Sequence, residues 1–417
     1  MAIYYIILFF SSLLLADIGV IPILQVGNTS AYIIDLVFAF FFWCLAVISL
    51  RTKLQFPDIS KWYLGLIAIL FLSIGYGITK FGFSALGEGR YIYWLLFFAV
   101  PVYFYYSGQV SSFRDFEKMF KLSWLLVTVT VLVLLGAELL YGGRFFMAAA
   151  NQENLKLEDD RGIRYLGSEE TFHLGTAVIF MIFMQYGQKR KGPLIPVLIL
   201  LLTAIILFTK NRAAFLSLAI ALVIVLIQQG KFKQMLKLAS LGTGLLMLTF
   251  MLFPAIVQPV ITPIQSAFDI TADETGSWRL MIQAIAIEQG LQSPLFGQGF
   301  GGYFEYYIEA LNETVNYPPH SIYIHLFQKT GLIGVIAYIA AIVSLIRQNS
   351  LLKNYSGLID SAEPYRLCLR VILIAQVFYG FAYNFSVYLG LYIGLQTVLL
   401  KILKNKQAAL SASQYGT

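Results

Sequence analysis

The chain has 417 residues, of which 59% are hydrophobic, 16% aromatic and only 12% charged. A soluble domain of this length could not bury so much apolar surface, so the composition excludes an ordinary soluble protein. The formal net charge is +7.

Twelve apolar stretches are long enough to cross a bilayer core as helices of roughly 17–25 residues. They lie near residues 2–24, 31–50, 62–79, 91–107, 121–141, 171–187, 193–209, 213–229, 238–258, 320–346, 367–383 and 387–402. The first stretch has no basic flank before it and no small-residue cleavage site after it, so we expect a retained helix rather than a signal peptide. We therefore predict an all-α integral membrane protein with about twelve transmembrane helices.

The lengths of the connections divide this prediction into three regions. Residues 1–258 would hold transmembrane helices 1–9 with an outer loop near 142–170, residues 259–319 an outer helical loop, and residues 320–417 transmembrane helices 10–12 and a cytoplasmic tail. With both termini in the cytoplasm, most of the 29 Lys and Arg residues fall in inner connections, as the positive-inside rule expects. The net charge therefore reflects orientation and does not suggest a nucleic-acid partner.

Arginines stand out among the basic residues on the predicted outer side, where the positive-inside rule expects few cations. They are Arg90, Arg144, Arg161, Arg164, Arg212 and Arg279. A single such Arg is as well explained by snorkelling to lipid headgroups as by function. The whole set points instead to an outer site that uses guanidinium groups, whose planar fork binds phosphate oxygens in pairs.

The larger outer loop carries signals for two helices and a turn. Residues 276–291 predict a helix capped by Ser277 and ended at Gly290. After Pro294 comes a glycine-rich stretch that predicts a tight irregular turn, with glycines at 297, 299, 301 and 302. Acidic residues then recur at helical spacing at 305, 309 and 313, which favours a helix lying at the membrane interface.

His320 follows a double proline at the outer mouth of the tenth predicted crossing. A neutral His there could take a proton from an acceptor hydroxyl, although an interfacial His that only hydrogen-bonds to water has the same position. His325 turns to another face of the helix, where a buried, hydrogen-bonded His is the favoured interpretation. His173 could line the same mouth, but its spacing does not favour that role.

Metal and cofactor chemistry has little support in the sequence. The acidic run at residues 158–160 could hold a divalent metal, but a solvated loop is the better interpretation because Lys156 and Arg161 flank it. Cys44 and Cys368 resemble small apolar residues and form neither a disulfide framework nor a metal site. No zinc-type cluster, phosphate-binding loop, dinucleotide fingerprint or nucleophile elbow is present in the sequence.

Three segments resemble the bacterial O-antigen ligase and polymerase superfamily of membrane glycosyltransferases. NRAAFLSL is similar to the family's Arg-x3-Leu segment, with Arg212 and Leu216 in the matching places. SWRLMIQAIAIEQGLQSPLFGQGFGGY resembles its Arg-headed helix and Gly-rich turn, and PPHSIYIHLFQKTGLIG its His-x10-Gly segment from His320 to Gly331. Twelve crossings with the largest outer loop between the ninth and tenth, a GT-C-like arrangement, is also the family's layout.

The resemblance implies an inverting, metal-independent transfer, without a cofactor, of an undecaprenyl-diphosphate-linked glycan onto an acceptor hydroxyl at the periplasmic face of the bacterial inner membrane. The catalytic residues would be His320, as the base or the group that positions the acceptor, with Arg279 and Arg212 on the leaving diphosphate. The expected substrate-binding residues are Arg90, Arg161, Arg164, Tyr323 and His325. Expected partners are the lipid-linked oligosaccharide, membrane lipid, and either a chain-length regulator protein or a lipid A-core acceptor.

Three functions stay open at this point, besides a scaffold or assembly subunit, which would be favoured only if substitution of His320 and the outer arginines had no effect. Arg164 to Gly175 and Arg279 to Gly290 are both Arg-x10-Gly, a pairing that resembles the polymerases' loop motifs and favours an O-antigen or surface polysaccharide polymerase. The Arg-x3-Leu and His-x10-Gly segments equally suit a ligase that transfers the glycan to lipid A-core. A transporter or flippase would use the outer arginines to bind a polyanion, but it is expected to show related halves and interrupted helices, which the sequence lacks.

Overall fold

The computed structural model describes residues 22–26, 29–53, 58–140, 168–187, 194–208, 212–230, 274–302, 305–308, 313–316, 319–386 and 388–415, with single positions at 233, 240 and 244. Helices dominate these ranges, and two short β-hairpins accompany them. The predicted all-α membrane architecture is therefore confirmed in its main feature.

The helices follow the predicted crossings closely. They are α1 Ile33–Thr52, α2 Lys61–Phe81, α3 Ser84–Gly89, a 3-10 helix Arg90–Phe98, α4 Ala99–Tyr106, α5 Phe113–Leu140, α6 Ser168–Gly187, α7 Leu194–Phe208, α8 Arg212–Gln228, α9 Glu274–Leu291, α10 Ile322–Ser356, a 3-10 turn Asp360–Ala362, α11 Glu363–Tyr379 and α12 Leu389–Tyr415. Residues 2–21 of the crossing predicted near 2–24, and the crossing predicted near 238–258 apart from single positions, lie outside the described residues, so the count of about twelve stays a prediction.

Three helices in the described ranges are long and apolar enough to cross a membrane: Asp35–Thr52, Lys61–Phe81 and Ile322–Tyr355. Two shorter apolar helices, Ile92–Tyr106 and Ala213–Gln228, accompany them. These helices support a protein embedded in a membrane.

Helices α2 and α10 pack side by side in opposite directions. Ser60 Oγ donates to Ser344 Oγ at 2.8 Å near one end of the pair, and Ser73 Oγ donates to the Lys329 carbonyl at 2.8 Å toward the other. The bundle thus has two ends. We call the end where α2 finishes and α10 begins the His320 end, and the end where α2 begins the Asp58 end.

Basic side chains collect at the Asp58 end. Lys401 and Lys404 of α12 both pair with the buried carboxylate of Asp58, the former at 3.1 Å. Arg51 donates to the Tyr106 carbonyl at 2.6 Å, and Arg366 pairs with Glu363 at 2.5 Å. Residues expected on the inner side thus lie together, and the positive-inside rule predicts that this end faces the cytoplasm.

A glycine-rich loop is inserted between α2 and α10. Helix α10 is kinked at Gly331, whose φ of 66° and ψ of −165° are not helical, so the expectation that no crossing is interrupted is wrong for this helix. Next to this kink, the backbone N–H groups of Gln298 and Gly299 donate to the carbonyls of Gln328 and Lys329 at 2.9 and 3.0 Å. The loop therefore provides partners for carbonyls at the break, where the helical hydrogen-bond ladder is interrupted.

Two glycines make this insertion possible. A Cβ on Gly77 of α2 would lie 1.9 Å from the carbonyl oxygen of Phe300, and a Cβ on Gly331 would lie 2.3 Å from the backbone of Leu295. Gly331 also has the left-handed backbone conformation that L-residues rarely adopt. The loop can therefore approach both helices only where a side chain is missing.

A buried ion pair joins α10 to α3, and the backbone of the same loop binds both of its side chains. Lys329 Nζ lies 2.7 Å from Glu88 Oε1, and their side chains are only 2% and 5% exposed. Lys329 also donates to the Gly302 carbonyl at 2.9 Å, and the Gly301 N–H donates to Glu88. Each charge has its counter-ion and at least one backbone partner, which buried charges require.

Two predictions about the large loop hold in part. The glycine-rich turn is confirmed, since Gly297, Gly299 and Gly301 have φ values of 68°, 84° and 111°. The helix near 276–291 is present, but it begins at Glu274, so Ser277 lies inside it and is not its cap.

Two helix predictions are wrong where the chain forms hairpins. Residues 305–313, expected as an interfacial helix, contribute to an antiparallel pair of β3 (Glu305–Ile308) and β4 (Glu313–Asn316). The end of the first predicted crossing is β1 (Pro22–Val26), which pairs with β2 (Thr29–Tyr32). Tyr, Ile, Thr and Val are enriched in these strands, and their preference for extended backbone outweighed the helical spacing of a few acidic residues.

The close approach at Gly77 gives a matched pair of substitutions. Gly77→Ala should destabilise the protein by about 1–3 kcal/mol, because its methyl group must displace the Phe300 backbone. Gly75→Ala on the same helix meets no atom within 4 Å and should be neutral or slightly stabilising. Thermal unfolding in detergent measures both, and equal melting temperatures for the two variants would contradict the inserted loop.

The ion pairs of Asp58 with Lys401 and Lys404 predict a contribution to stability that depends on pH. Burial of Asp58 raises the pKa of its carboxyl, but hydrogen bonds from Lys404 and Lys401 outweigh this and hold the pKa below its ordinary value. The stabilisation is therefore full above the ordinary pKa and is lost as the pH falls through the lowered pKa.

Asp58→Asn should accordingly lower stability at pH 7 by about 1 kcal/mol, since Lys401 and Lys404 are partly exposed. Melting curves at neutral and strongly acidic pH compare the variant with wild type. The difference should shrink in acid, and a difference independent of pH would contradict the role of the Asp58 charge.

Candidate functional site at the His320 end

His320 lies at the junction between α10 and the turn that follows α11. Helix α10 begins after Ser321, whose backbone is extended. The Ile322 N–H donates to the carbonyls of Gly380 and Tyr383, at 2.9 and 3.0 Å. These bonds place the imidazole of His320 next to the Tyr383 ring, with centroids 6.5 Å apart and planes nearly perpendicular at 88°.

Arg279 of α9 reaches the same tyrosine. Its Cζ lies 5.8 Å from the centroid of the Tyr383 ring, within the range of a cation–π contact. One turn further along α9, Gln283 Nε2 donates to the His320 carbonyl at 3.4 Å. The structure thus brings together at Tyr383 two residues that the sequence motifs place far apart in the chain.

The Arg279 guanidinium has an N–H group that makes no hydrogen bond to the described residues. Its Nε is buried and has no hydrogen-bond partner among the residues that the structure describes. An unpaired buried donor is costly unless a ligand or solvent satisfies it. A guanidinium that lies on an aromatic ring, with an N–H left over, is suited to receive an anion.

Tyr379 packs on Tyr383, and Glu169 binds Tyr379. The two tyrosine rings stack with centroids 4.9 Å apart, and the Tyr379 hydroxyl donates to Glu169 Oε1 at 2.6 Å. Tyr379 also packs on Phe172 of α6 at 4.6 Å. Helix α6 is therefore joined to the turn that carries Tyr383.

The sequence reasoning missed the two tyrosines and Glu169. Glu169 and Glu170 lie in the first turn of the otherwise apolar α6, and a carboxylate at the end of such a helix is a signal that could have been used. Tyr379 and Tyr383 are two of 26 tyrosines, and no spacing rule distinguishes them.

Arg212 is the first residue of α8, and its side chain lies outside what is described. Helix α8 packs along α11, and Gln228 at its other end accepts from Arg370 Nε at 3.0 Å. Arg370 lies midway along α11, so this bond ties the end of α8 to the middle of α11. Arg161 and Arg164 lie outside the described residues.

Arg90 has a different environment from Arg279. Its Nε and one terminal nitrogen donate to the two carboxylate oxygens of Asp35 on α1, at 2.9 and 3.0 Å. This bidentate pair occupies the fork that was expected to bind substrate. The described contacts of Arg90 therefore tie the 3-10 helix to α1.

The other predicted residues of α10 lie deeper. His325 is 1% exposed, contacts the side chain of Asn384 and has its ring 6.1 Å from that of Phe300. The Tyr323 hydroxyl donates to the Val377 carbonyl at 2.9 Å. Both side chains contribute to packing around the start of α10, and their predicted role in substrate binding stays untested.

His173 is buried between α5 and α12. Its Nδ1 lies 3.2 Å from the Tyr392 hydroxyl, and its ring stacks on Trp124 at 4.8 Å. Both free cysteines are buried as well. Within the described ranges no group of three or more His, Cys, Asp or Glu residues is placed to hold a metal ion, and the acidic run at 158–160 lies outside them.

Comparison with known protein families gives one match. Residues 196–339 match the family model Wzy_C, described as O-antigen ligase. No curated protein matches the chain. The matched segment contains Arg212, Arg279 and His320, together with the inserted glycine-rich loop. This match covers about a third of the chain and supports the resemblance of that part of the sequence to the O-antigen ligase and polymerase superfamily.

Proposed function

We propose that the protein transfers a glycan from undecaprenyl diphosphate to a sugar hydroxyl of an acceptor, with inversion at the anomeric carbon. The observation that carries this proposal is the meeting of His320 and Arg279 at Tyr383. It joins a candidate base to a candidate anion-binding group within the segment that matches the family. The proposed setting is the periplasmic side of the bacterial inner membrane, at the His320 end.

The proposed reaction is a single displacement. His320 accepts the proton of the acceptor hydroxyl, whose oxygen attacks the anomeric carbon. The bond from that carbon to the diphosphate oxygen breaks, and the undecaprenyl diphosphate leaves with the electron pair. Arg279 and Arg212 stabilise the charge of the leaving diphosphate. Because a diphosphate is already a weakly basic leaving group, guanidinium groups can supply this stabilisation in place of a metal ion.

Between the two family activities, we propose polymerisation of O-antigen or another surface polysaccharide. The support is the pair of Arg-x10-Gly spacings, of which the one from Arg279 to Gly290 lies on α9. Gly290 contacts α10 closely, since a Cβ there would lie 2.7 Å from the Phe327 ring. A chain-length regulator protein would be the partner of such a polymerase, and lipid A-core the acceptor of a ligase.

An assay with purified protein separates the alternatives. The protein is incubated with undecaprenyl-diphosphate-linked oligosaccharide, alone and with lipid A-core, in the presence of EDTA, and the products are resolved on a gel. A ladder from the donor alone supports the polymerase, and product only with lipid A-core supports the ligase. No product in either reaction would contradict transfer and favour a transporter of polyanionic lipid.

The proposed roles predict the behaviour of three variants. His320→Ala, Arg279→Ala and Arg212→Ala should each reduce transfer by about 100-fold or more, because the base or the leaving-group contact is removed. Expression and membrane insertion should be unchanged. Arg114→Ala, an exposed arginine at the Asp58 end, is the matched control and should transfer normally. Normal product from the His320 variant would refute the proposed base.

A further inference from the structure

Tyr383 contacts both His320, the proposed base, and Arg279, which is proposed to bind the leaving diphosphate. Arg279 lies over its ring at 5.8 Å, and the ring of His320 lies nearly perpendicular to it with centroids 6.5 Å apart. The residue lies on a third segment, the turn after α11, and not on α9 or α10. The relative position of base and guanidinium therefore depends on where this ring is held.

Three contacts hold the ring in place. The Tyr383 N–H donates to the Tyr379 carbonyl at 3.0 Å, and the Tyr383 carbonyl accepts from Ile322 at 3.0 Å. The ring stacks on Tyr379, a fully buried residue whose hydroxyl is bonded to Glu169. Helices α6, α10 and α11 therefore all contribute to fixing Tyr383.

An aromatic ring positions an arginine in a way that a carboxylate cannot. Asp35 holds Arg90 by accepting two of its N–H groups, which are then no longer available to a phosphate. The face of a tyrosine ring attracts the cation without accepting those in-plane donors. The unpartnered Nε of Arg279, among the described residues, fits this difference.

We propose that Tyr383 is a positioning residue that sets Arg279 against His320 while leaving the guanidinium N–H groups available to the donor diphosphate. This inference rests on the proposed function and deepens it. The aromatic ring, and not the phenolic hydroxyl, is the part that matters. A negative charge in its place would compete with the substrate for Arg279.

Three substitutions at this position test the inference by steady-state transfer kinetics. Tyr383→Phe keeps the ring and should retain nearly normal kcat and KM. Tyr383→Leu should lower kcat by about tenfold or more, because base and guanidinium lose their common support. Tyr383→Glu should raise KM for the lipid-linked donor by about tenfold or more, because its carboxylate occupies Arg279. The control is Phe381→Leu on the same turn, whose exposed ring packs on Tyr323 and which should transfer normally.

A binding measurement separates this inference from the proposed function. Undecaprenyl diphosphate without sugar is added to detergent-solubilised protein, and the shift in melting temperature is recorded. Wild type and Tyr383→Phe should be stabilised, and Tyr383→Glu should not, whether or not transfer is observed. Normal transfer by Tyr383→Leu, or equal shifts for the Glu and Phe variants, would overturn the inference while leaving the proposed function standing. Absence of any shift in wild type would overturn it as well.

Discussion

The pairing of the 294–302 loop with the broken part of α10 is the interaction on which the His320 end depends. A helix interrupted at Gly331 inside an apolar environment leaves carbonyl groups that water cannot satisfy. The N–H groups of Gln298 and Gly299 satisfy two carbonyls beside the break. Because the loop is continuous with α9, the same bonds fix α9 along the first turns of α10. Arg279 is therefore positioned by hydrogen bonds made beyond the other end of its helix.

Arg90 and Arg279, the two arginines of the predicted outer set whose side chains are described, show how one residue type serves two purposes. Arg90 is saturated by Asp35 and joins elements of the bundle. Arg279 rests on an aromatic ring and keeps an unpaired donor among the described residues. Desolvated guanidinium groups can be neutralised locally or held ready for a ligand, and the neighbouring side chain decides which. Position in the membrane does not distinguish the two, since both are at the His320 end.

The fold was largely predictable because apolar runs of membrane length have few alternative structures. The predicted crossings near 62–79 and 320–346 became α2 and α10. The hairpin at 305–316 was not predictable from helical spacing alone, since a few acidic residues at that spacing say little about short segments. His320 was identified by the double proline before it, and Arg279 as an arginine on the predicted outer side that heads a family-like helix. Their meeting at Tyr383 depends on how three segments pack, which a single sequence does not record.

The ion pair of Lys329 with Glu88 has a consequence for how the protein is made. A lysine within an apolar helix resists insertion into the bilayer by roughly 2.5–3.5 kcal/mol when it lies near the middle and stands alone. Glu88 belongs to the earlier part of the chain, so it has already been synthesised when Lys329 emerges from the ribosome. The counter-ion of Lys329 is thus already present when helix α10 enters the membrane. Because Glu88 precedes Lys329 in the chain, the order of the segments favours the insertion of helix α10 into the bilayer before the whole protein has folded.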